Sequence, residues 1–221
     1  MEESNNPAFK ENLRRYLRLY AVTSRNWIGT RTLLEQIELA LAGGATAIQL
    51  REKDLERQAF LSEAFEVKNI CEHLGRPLII NDNVDVALGC DADGVHLGQG
   101  DMSLTEARKI LGKDKIIGAS VHSVGEAKDA ERDGADYLGA GAAFPTSSKS
   151  DAINLSLDVL VEICDSVSIP VVAIGGISVD NVDKLRNTGI AGIAVVSAIF
   201  AQPDIETSAN FLKRRVDQLL I

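Results

Sequence analysis

The sequence predicts an α/β fold, a single-domain (β/α)8 barrel, and three observations support this class. First, short apolar runs alternate with segments of helical periodicity; the runs begin near Leu19, Ala47, Pro77, Gly94, Lys115, Tyr137, Pro170 and Gly192. Second, such alternation implies parallel pairing, because each crossover must return the chain to the same end of the sheet. Third, the first turn, Thr23 to Trp27, lacks the glycine-rich pattern of an open doubly wound sheet. For a chain of 221 residues, these features favour a closed TIM barrel.

The helices are predicted in the intervals between the apolar runs. They cover residues 31–42, 55–73, 84–90, 104–111, 124–132, 157–165, 182–187 and, at the end of the chain, 206–220. A weak repeat supports this order, because small, glycine-containing segments close a helix and open a strand at residues 43–47, 89–94, 134–137 and 189–192. Residues 1–18 are expected to form an N-terminal extension with a short helix over Phe9 to Tyr16, and residues 19–221 the barrel.

Composition and charge exclude several classes of function. A net charge of −9 argues against a nucleic-acid-binding protein, whose surface would be basic. The cysteines, Cys71, Cys90 and Cys164, lack metal-type spacing and are expected to be reduced and buried. No apolar run is long enough to span a membrane, and the acidic N-terminus lacks the features of a signal peptide. We therefore expect a cytoplasmic protein that binds neither nucleic acid nor membrane.

The stretch from Ala47 to Lys53 is the first candidate binding site. Because side chains alternate along a strand, Ile48 and Leu50 share one face while Gln49 and Arg51 share the other. An arginine is almost never fully buried without a partner, so the end of this strand predicts an anionic ligand. In this fold the reactive groups lie at the C-terminal ends of the strands.

Other strands can present polar residues to the same end of the lumen. If Gln49 faces inward, Asn81, His96 and Ser120 can do so as well, since each has apolar neighbours that would face the helices. His96 and His122 are expected to have structural or supporting roles near this mouth, and His73 is expected to be solvated.

Two aspartates follow neighbouring strands and are candidates for a metal site. Asp82 follows the third strand and Asp101 lies in the loop after the fourth. Carboxylates from adjacent loops can hold Mg²⁺ while water and phosphate oxygens complete its octahedron. Alternatively, Asp82 or Asn83 could cap the next helix, and Asp101 could cap the helix that starts near Ser103. Spacing alone leaves both interpretations open.

The sixth strand and its loop form a second candidate site. The run from Gly139 to Ala143 is made of very small residues, which predicts a bulky group against it. The hydroxyl-rich loop that follows carries Lys149 and is interpreted as a mobile lid over an anion, the alternative being a solvated surface loop.

A third candidate site follows the last two strands. Gly175 and Gly176 come after strand seven, and Val196 and Ser197 end strand eight. Loops in these positions often form a phosphate cup, where glycines allow close approach and backbone amides bind the anion. The alternative is a tight turn in which Ser178 or Asp180 caps a helix.

These motifs, taken together, resemble the thiamine-phosphate synthase family. The matching segments, in the family's order, are residues 19–23, Gln49 to Lys53, Asn81-Asp82, His96 to Asp101, Gly139 to Lys149 and Gly175 to Ile177. The resemblance implies a transferase that joins 4-amino-2-methyl-5-hydroxymethylpyrimidine diphosphate to 4-methyl-5-(2-phosphoethyl)thiazole and releases pyrophosphate. The partners would be these two small phosphorylated substrates, with a homo-oligomer left open.

The resemblance also implies roles for residues of this sequence. The pyrimidine diphosphate would contact Gln49, Leu50, Arg51, Glu52, Lys53, Asn81, Ser120 and Lys149, of which Arg51, Lys53, Ser120 and Lys149 would be catalytic. One Mg²⁺ per active site would be held by Asp82 and Asp101. The thiazole phosphate would contact Thr146, Ser147, Ser148, Gly176, Val196 and Ser197. Ser148 replaces the threonine that the family often has, and it keeps the hydroxyl.

Three other functions compete with this one. A thiazole tautomerase would share the barrel and the phosphate cup but would lack the diphosphate-binding residues, which are intact here. A non-catalytic regulator should have lost the aspartate pair. A sugar-phosphate isomerase or epimerase would need a well-placed general base, and the sequence offers no clear candidate.

Overall fold

The computed structural model describes residues 12–146 and 154–220, and in this range eight parallel strands close into a TIM barrel in the order β1 to β8. Each strand is followed by helical structure on the outside, as the sequence predicts. The strands are β1 (Leu19–Val22), β2 (Ala47–Leu50), β3 (Leu78–Asn81), β4 (Gly94–Leu97), β5 (Ile116–Val121), β6 (Tyr137–Gly141), β7 (Val171–Ile174) and β8 (Gly192–Val195).

The helices agree with the predicted segments apart from the segment after β7 and a short helix after β8. The α-helices are α1 (Leu13–Tyr16), α2 (Leu33–Ala42), α3 (Arg57–His73), α4 (Val84–Gly89), α5 (Leu104–Leu111), α6 (Val124–Arg132), α7 (Leu157–Ser166), α8 (Ser197–Phe200) and α9 (Ile205–Leu219). After β7 there is a single 3₁₀ turn, Val182–Leu185, where residues 182–187 were predicted to be helical. The turn ends because Arg186 takes an extended backbone conformation with ψ of 138°, and Asn187 follows with a left-handed φ of 63°. The short α8 was not predicted.

Side-chain caps fix where most helices begin. Thr32 forms a reciprocal capping box with Glu35 at the start of α2. The other capping side chains, which accept a hydrogen bond from a backbone N–H in the first turn, are Asn83, Ser103, Ser123, Ser156 and Asp204. A cap of this kind contributes about 1 kcal/mol, and it explains why α4, α5 and α6 start where the sequence predicts.

The barrel has two apolar cores, separated by the sheet. The outer core lies between strands and helices and includes Ile48, Leu50 and Ile80. The lumen core is smaller and includes Tyr20, Ile79, Ile116, Tyr137 and Val172. The alternation assigned from the sequence is therefore confirmed: Leu50 faces the helices, while Gln49 faces the lumen, where it bonds to Tyr20.

The described part of the N-terminal extension closes the lumen at the end of the barrel where the strands begin. Leu13 and Leu17 are buried in the lumen core beneath the first layer of strand residues. Residues 9–11 of the predicted helix lie outside the described residues, and the division at residue 18 stays a prediction.

The cysteines were expected to be reduced and buried, and the burial is confirmed for two of the three. Cys71 and Cys90 are buried, Cys164 is half-buried, and all three are free thiols. Among the described residues, no helix is both long and apolar enough to cross a membrane.

Candidate active site

Polar side chains from four neighbouring strands converge on the lumen near the C-terminal mouth of the barrel. Gln49, Asn81 and His96 are buried, and Ser120 is half-buried. The strand register brings Asn81 opposite His96. The lumen assignments made for these four residues are consistent with their positions at strand ends.

A buried hydrogen-bond chain links both sides of the lumen. The Gln49 amide Nε2 donates to Tyr20 Oη at 2.8 Å, and Tyr20 Oη lies 2.9 Å from Tyr137 Oη. Tyr137 Oη is 2.9 Å from His96 Nδ1, and His96 Nε2 is 3.0 Å from Ser120 Oγ. Gln49 and Ser120, both predicted to bind the diphosphate substrate, are thus physically connected.

Burial determines the protonation states of the histidine and the two tyrosines in this hydrogen-bond chain. Desolvation lowers the pKa of His96 to about 4, with a weaker opposing effect from Asp101, so the imidazole is neutral at physiological pH. Desolvation also raises the pKa of both tyrosines far above the usual value, so both phenols keep their protons. The sequence analysis did not include Tyr20 or Tyr137. The alternation of side chains along β1 and β6 could have shown that both tyrosines face the lumen. The small residues opposite them are a second signal, since a Cβ on Gly118 would lie 2.2 Å from the Tyr137 ring.

Asp82 and Asp101 are not helix caps. The Asn83 side chain caps α4 by accepting from Val86 N–H at 2.9 Å, and Ser103 caps α5. The capping alternative for both aspartates is therefore excluded. Asp82 has a left-handed backbone with φ of 62°, a conformation uncommon for any residue but glycine. Such strain is typical of functional sites, where the surrounding structure must maintain it.

The two carboxylates lie close enough to affect each other. The pKa of Asp82 is raised from 3.8 to about 6, first by desolvation and then by the hydrogen bond and the negative charge of Asp101. The charges of Lys53 and Arg51 oppose this rise, so both cationic side chains lie within electrostatic range of Asp82. Asp101 also accepts a hydrogen bond from Gly98 N–H at 2.7 Å, which fixes the loop that carries it.

Neighbouring loops hold the Arg51 to Lys53 segment in place. The Thr23 hydroxyl accepts a hydrogen bond from Arg51 N–H at 2.9 Å. The Glu52 side chain is only 2% exposed and pairs with Arg25 at 2.6 Å, and Arg25 also binds Glu63. Glu52 therefore turns its carboxylate away from an incoming diphosphate, and its predicted contact can only be through the backbone. The same holds for Leu50, whose side chain lies in the outer core.

The donor set at the mouth fits one Mg²⁺. Among the described residues, no group of three or more His, Cys, Asp or Glu side chains could hold a metal. Two adjacent carboxylates suit Mg²⁺, which usually binds one or two carboxylates plus water and substrate phosphate. The raised pKa of Asp82 supports this fit, because a cation between the carboxylates would relieve their repulsion.

The loops after β6 and β7 pack against each other through glycines. Gly176 has φ of 63°, and a Cβ there would lie 2.4 Å from the Pro145 carbonyl oxygen. The side chain of Asn181 secures this turn by accepting from Ser178 N–H and donating to the Gly176 carbonyl. Neither Ser178 nor Asp180 caps the 3₁₀ turn that follows, for which Asn181 is the first flanking residue.

The remaining predicted site residues are only partly described. Val196 and Ser197 lie at the start of α8, where the first backbone amides have no acceptor within the helix. Thr146 is half-buried at the end of the described loop. Ser147, Ser148 and Lys149 lie outside the described residues, as does the rest of the predicted lid. The small residues of β6 do accommodate a bulky group, since a Cβ on Gly139 would lie 3.1 Å from the His96 ring.

The hydrogen bonds described for the other two histidines do not join them to this cluster. His122 bonds to Glu126 at 3.2 Å near the start of α6, and His73 is exposed at the end of α3. These positions agree with the structural and solvated roles predicted for them.

Comparison with known proteins reveals close relatives. A family model described as thiamine monophosphate synthase matches residues 19–199. A thiamine-phosphate synthase from Ruminiclostridium cellulolyticum is 52% identical over 194 residues, covering 88% of this chain and 92% of the relative. One from Clostridium acetobutylicum is 50% identical over 195 residues, with the same coverage of 88% and 92%.

A solved structure agrees with these sequence matches. A thiamine phosphate pyrophosphorylase from Pyrococcus furiosus superposes with a TM-score of 0.88 at 42% identity, covering 95% of this chain and 100% of that structure. The match of the family model to most of the barrel, together with these identities, leads to one conclusion: the chain belongs to the thiamine monophosphate synthase family.

Proposed function

We propose that this chain is a transferase of thiamine biosynthesis that couples 4-amino-2-methyl-5-hydroxymethylpyrimidine diphosphate to 4-methyl-5-(2-phosphoethyl)thiazole, giving thiamine phosphate and pyrophosphate. The observation that carries the proposal is the pair of Asp82 and Asp101: neither aspartate caps a helix, they lie close enough to interact, and Arg51 and Lys53 lie within electrostatic range of Asp82. An acidic pair beside cationic side chains matches a diphosphate that arrives with a divalent ion.

The reaction requires a stabilised leaving group rather than a strong base. The carbon–oxygen bond to diphosphate breaks, its electrons remain on the diphosphate, and the pyrimidine ring with its amino group carries the positive charge. Arg51 and Lys53, with Lys149 from the loop after β6, would neutralise the charge that grows on the departing diphosphate. Preorganised charges of this kind contribute about 3 kcal/mol each to transition-state stabilisation.

Asp82 and Asp101 would hold Mg²⁺ between the protein and the diphosphate. Mg²⁺ bound there would supply Lewis-acid stabilisation of the leaving oxygens. Gln49, Asn81 and Ser120 would orient the substrate from the lumen side, where the buried hydrogen-bond chain restricts the motion of Gln49 and Ser120.

The second substrate would be held by its phosphate. Gly176, Val196 and Ser197, with Thr146 and the hydroxyls of Ser147 and Ser148, would bind the thiazole phosphate. This contact positions the thiazole nitrogen, whose lone pair forms the new carbon–nitrogen bond. Binding both reactants in one mouth lets the nitrogen capture the cation before water does.

We also propose that the enzyme works in the cytoplasm, as its free thiols suggest. The test of the function uses purified protein with both substrates, and measures thiamine phosphate and pyrophosphate with Mg²⁺ and with excess chelator. Equal amounts of both products, lost on chelation and restored by Mg²⁺, are expected. Absence of coupled product under every metal condition would instead favour a protein that only binds these ligands.

A further inference from the structure

The five-residue chain across the lumen has a direction as well as a connectivity. Its members, from one side to the other, are Gln49, Tyr20, Tyr137, His96 and Ser120. Each phenol has one proton to donate, and both phenols are fully buried, so neither can donate to water. The direction of every bond in the chain therefore depends on the bond next to it.

The Gln49 amide determines this direction. Its Nε2 group donates to Tyr20 Oη, so the proton of Tyr20 must go to its other neighbour, Tyr137. Tyr137 then has His96 Nδ1 as its acceptor, at 2.9 Å. With the Gln49 amide in this orientation, any other arrangement would leave a buried hydroxyl proton without an acceptor, at a cost that native structures rarely tolerate.

The same reasoning extends to the mouth of the barrel. An Nδ1 atom that accepts a hydrogen bond carries no proton, so the neutral ring must be protonated at Nε2. Nε2–H then donates to Ser120 Oγ at 3.0 Å. Ser120 is thus an acceptor on its buried side, and its own hydroxyl proton is free to point into the half-open mouth.

We propose that His96 is a positioning residue, held by Tyr20 and Tyr137 as the Nε2–H tautomer so that Ser120 presents a hydrogen-bond donor to an anionic ligand. The consequence for turnover rests on the proposed function, in which that ligand is the pyrimidine diphosphate. The tautomer itself does not depend on it. If the Gln49 amide oxygen faced Tyr20 instead, every hydrogen bond in the series would run in the opposite direction. Ser120 would then donate to His96 and present to the mouth a lone pair that repels an anion.

The first experiment measures the tautomer directly. In protein labelled with ¹⁵N-histidine, long-range ¹H–¹⁵N correlation spectra distinguish Nε2–H from Nδ1–H rings, and the sequence has only three histidines to assign. His96 is expected to be an Nε2–H ring in the free enzyme, and to lose this fixed state in Tyr137→Phe. An Nδ1–H ring in the unsubstituted protein would overturn the proposal, whatever reaction the enzyme catalyses.

The second experiment tests whether the tyrosine acts through the serine. Tyr137→Phe is expected to raise the KM for the pyrimidine diphosphate about tenfold, with the KM for the thiazole phosphate unchanged. In a Ser120→Ala background the same substitution should have no further effect, because the donor that it orients is already missing. Independent, multiplicative effects of the two substitutions would contradict the proposal.

Matched variants separate positioning from packing. His122→Gln removes a histidine that bonds only to Glu126 among the described side chains, and should leave both KM values unchanged. His96→Gln retains an N–H group for Ser120, so it should keep more activity than His96→Ala. Equal loss in both His96 variants, with the tertiary circular dichroism of each intact, would mean that the ring serves only to fill space.

Discussion

Asp82→Asn should stabilise the metal-free protein while it removes activity. At neutral pH the folded state keeps an ionised Asp82 beside Asp101, although its carboxyl pKa is raised from 3.8 to about 6. A rise of that size corresponds to about 3 kcal/mol against the ionised form. Asp82 is exposed enough for solvent to screen much of this, so the expected gain in unfolding free energy is about 1 kcal/mol. Asparagine tolerates the left-handed backbone at this position, so the substitution adds no strain.

The pH dependence gives this prediction its sign. Because the pKa of the Asp82 carboxyl is about 6 in the folded state and 3.8 in the unfolded state, its ionisation destabilises the fold fully above about pH 6. This loss of stability decreases as the pH falls from 6 to 3.8, and it is absent below 3.8, where the carboxyl is protonated in the folded and the unfolded state alike. The difference between Asp82→Asn and the unsubstituted protein, measured by urea unfolding in chelator, should therefore be largest at pH 7.5 and near zero at pH 3.5.

A control and a metal titration complete the test. Asp114→Asn changes an exposed aspartate in the loop before β5, at the opposite end of the barrel, and should show no such pH-dependent gain. Mg²⁺ should stabilise the unsubstituted protein and not Asp82→Asn, since ligand binding to the native state adds to stability. Destabilisation by Asp82→Asn at pH 7.5 in chelator would refute the reasoning about carboxylate repulsion.

Three further substitutions test other parts of the site. Gly176→Ala should cost about 2 kcal/mol of unfolding free energy and raise the KM for the thiazole phosphate, because its Cβ would meet a carbonyl oxygen at 2.4 Å. Gly75→Ala, at a similar φ of 61° but with open space around it, should cost less and leave KM unchanged, and equal costs would exclude the steric argument. Arg25→Ala should lower the unfolding free energy by about 2 kcal/mol in urea titrations, since it leaves the Glu52 carboxylate, whose side chain is 2% exposed, without its arginine partner. Arg132→Ala breaks only exposed ion pairs and should change the unfolding free energy by less than about 0.5 kcal/mol. Similar losses in the two variants would contradict this reasoning. Arg51→Ala should lower kcat about 100-fold in the coupling assay with little effect on thermal unfolding, and near-normal turnover would remove this residue from the mechanism.

Much of the fold could be predicted because local rules and the barrel agree. Every strand begins within one residue of its predicted position, since glycine turns and apolar runs mark both ends of each crossover. The α-helix predicted over residues 182–187 was wrong, because periodicity could not reveal that the backbone becomes extended at Arg186 after a single 3₁₀ turn.

The candidate site was predictable to the level of strand faces and no further. Alternation placed Gln49 and Ser120 toward the lumen, but nothing local shows that Tyr20 and Tyr137 meet across it, since they are 117 positions apart. Likewise, spacing could not decide whether Asp82 or Asn83 caps α4, because both side chains are good caps. The structure separates their roles, since Asn83 accepts the hydrogen bond from Val86 N–H and Asp82 has a left-handed backbone with φ of 62°.

The central claim is that Asp82 and Asp101 together hold one divalent ion beside a diphosphate. Mn²⁺, a spectroscopic substitute for Mg²⁺, can be titrated by electron paramagnetic resonance into the protein with pyrophosphate present. The account predicts one bound Mn²⁺ per chain, lost when Asp82→Asn and Asp101→Asn are combined. Unchanged stoichiometry and affinity in that double variant would contradict it.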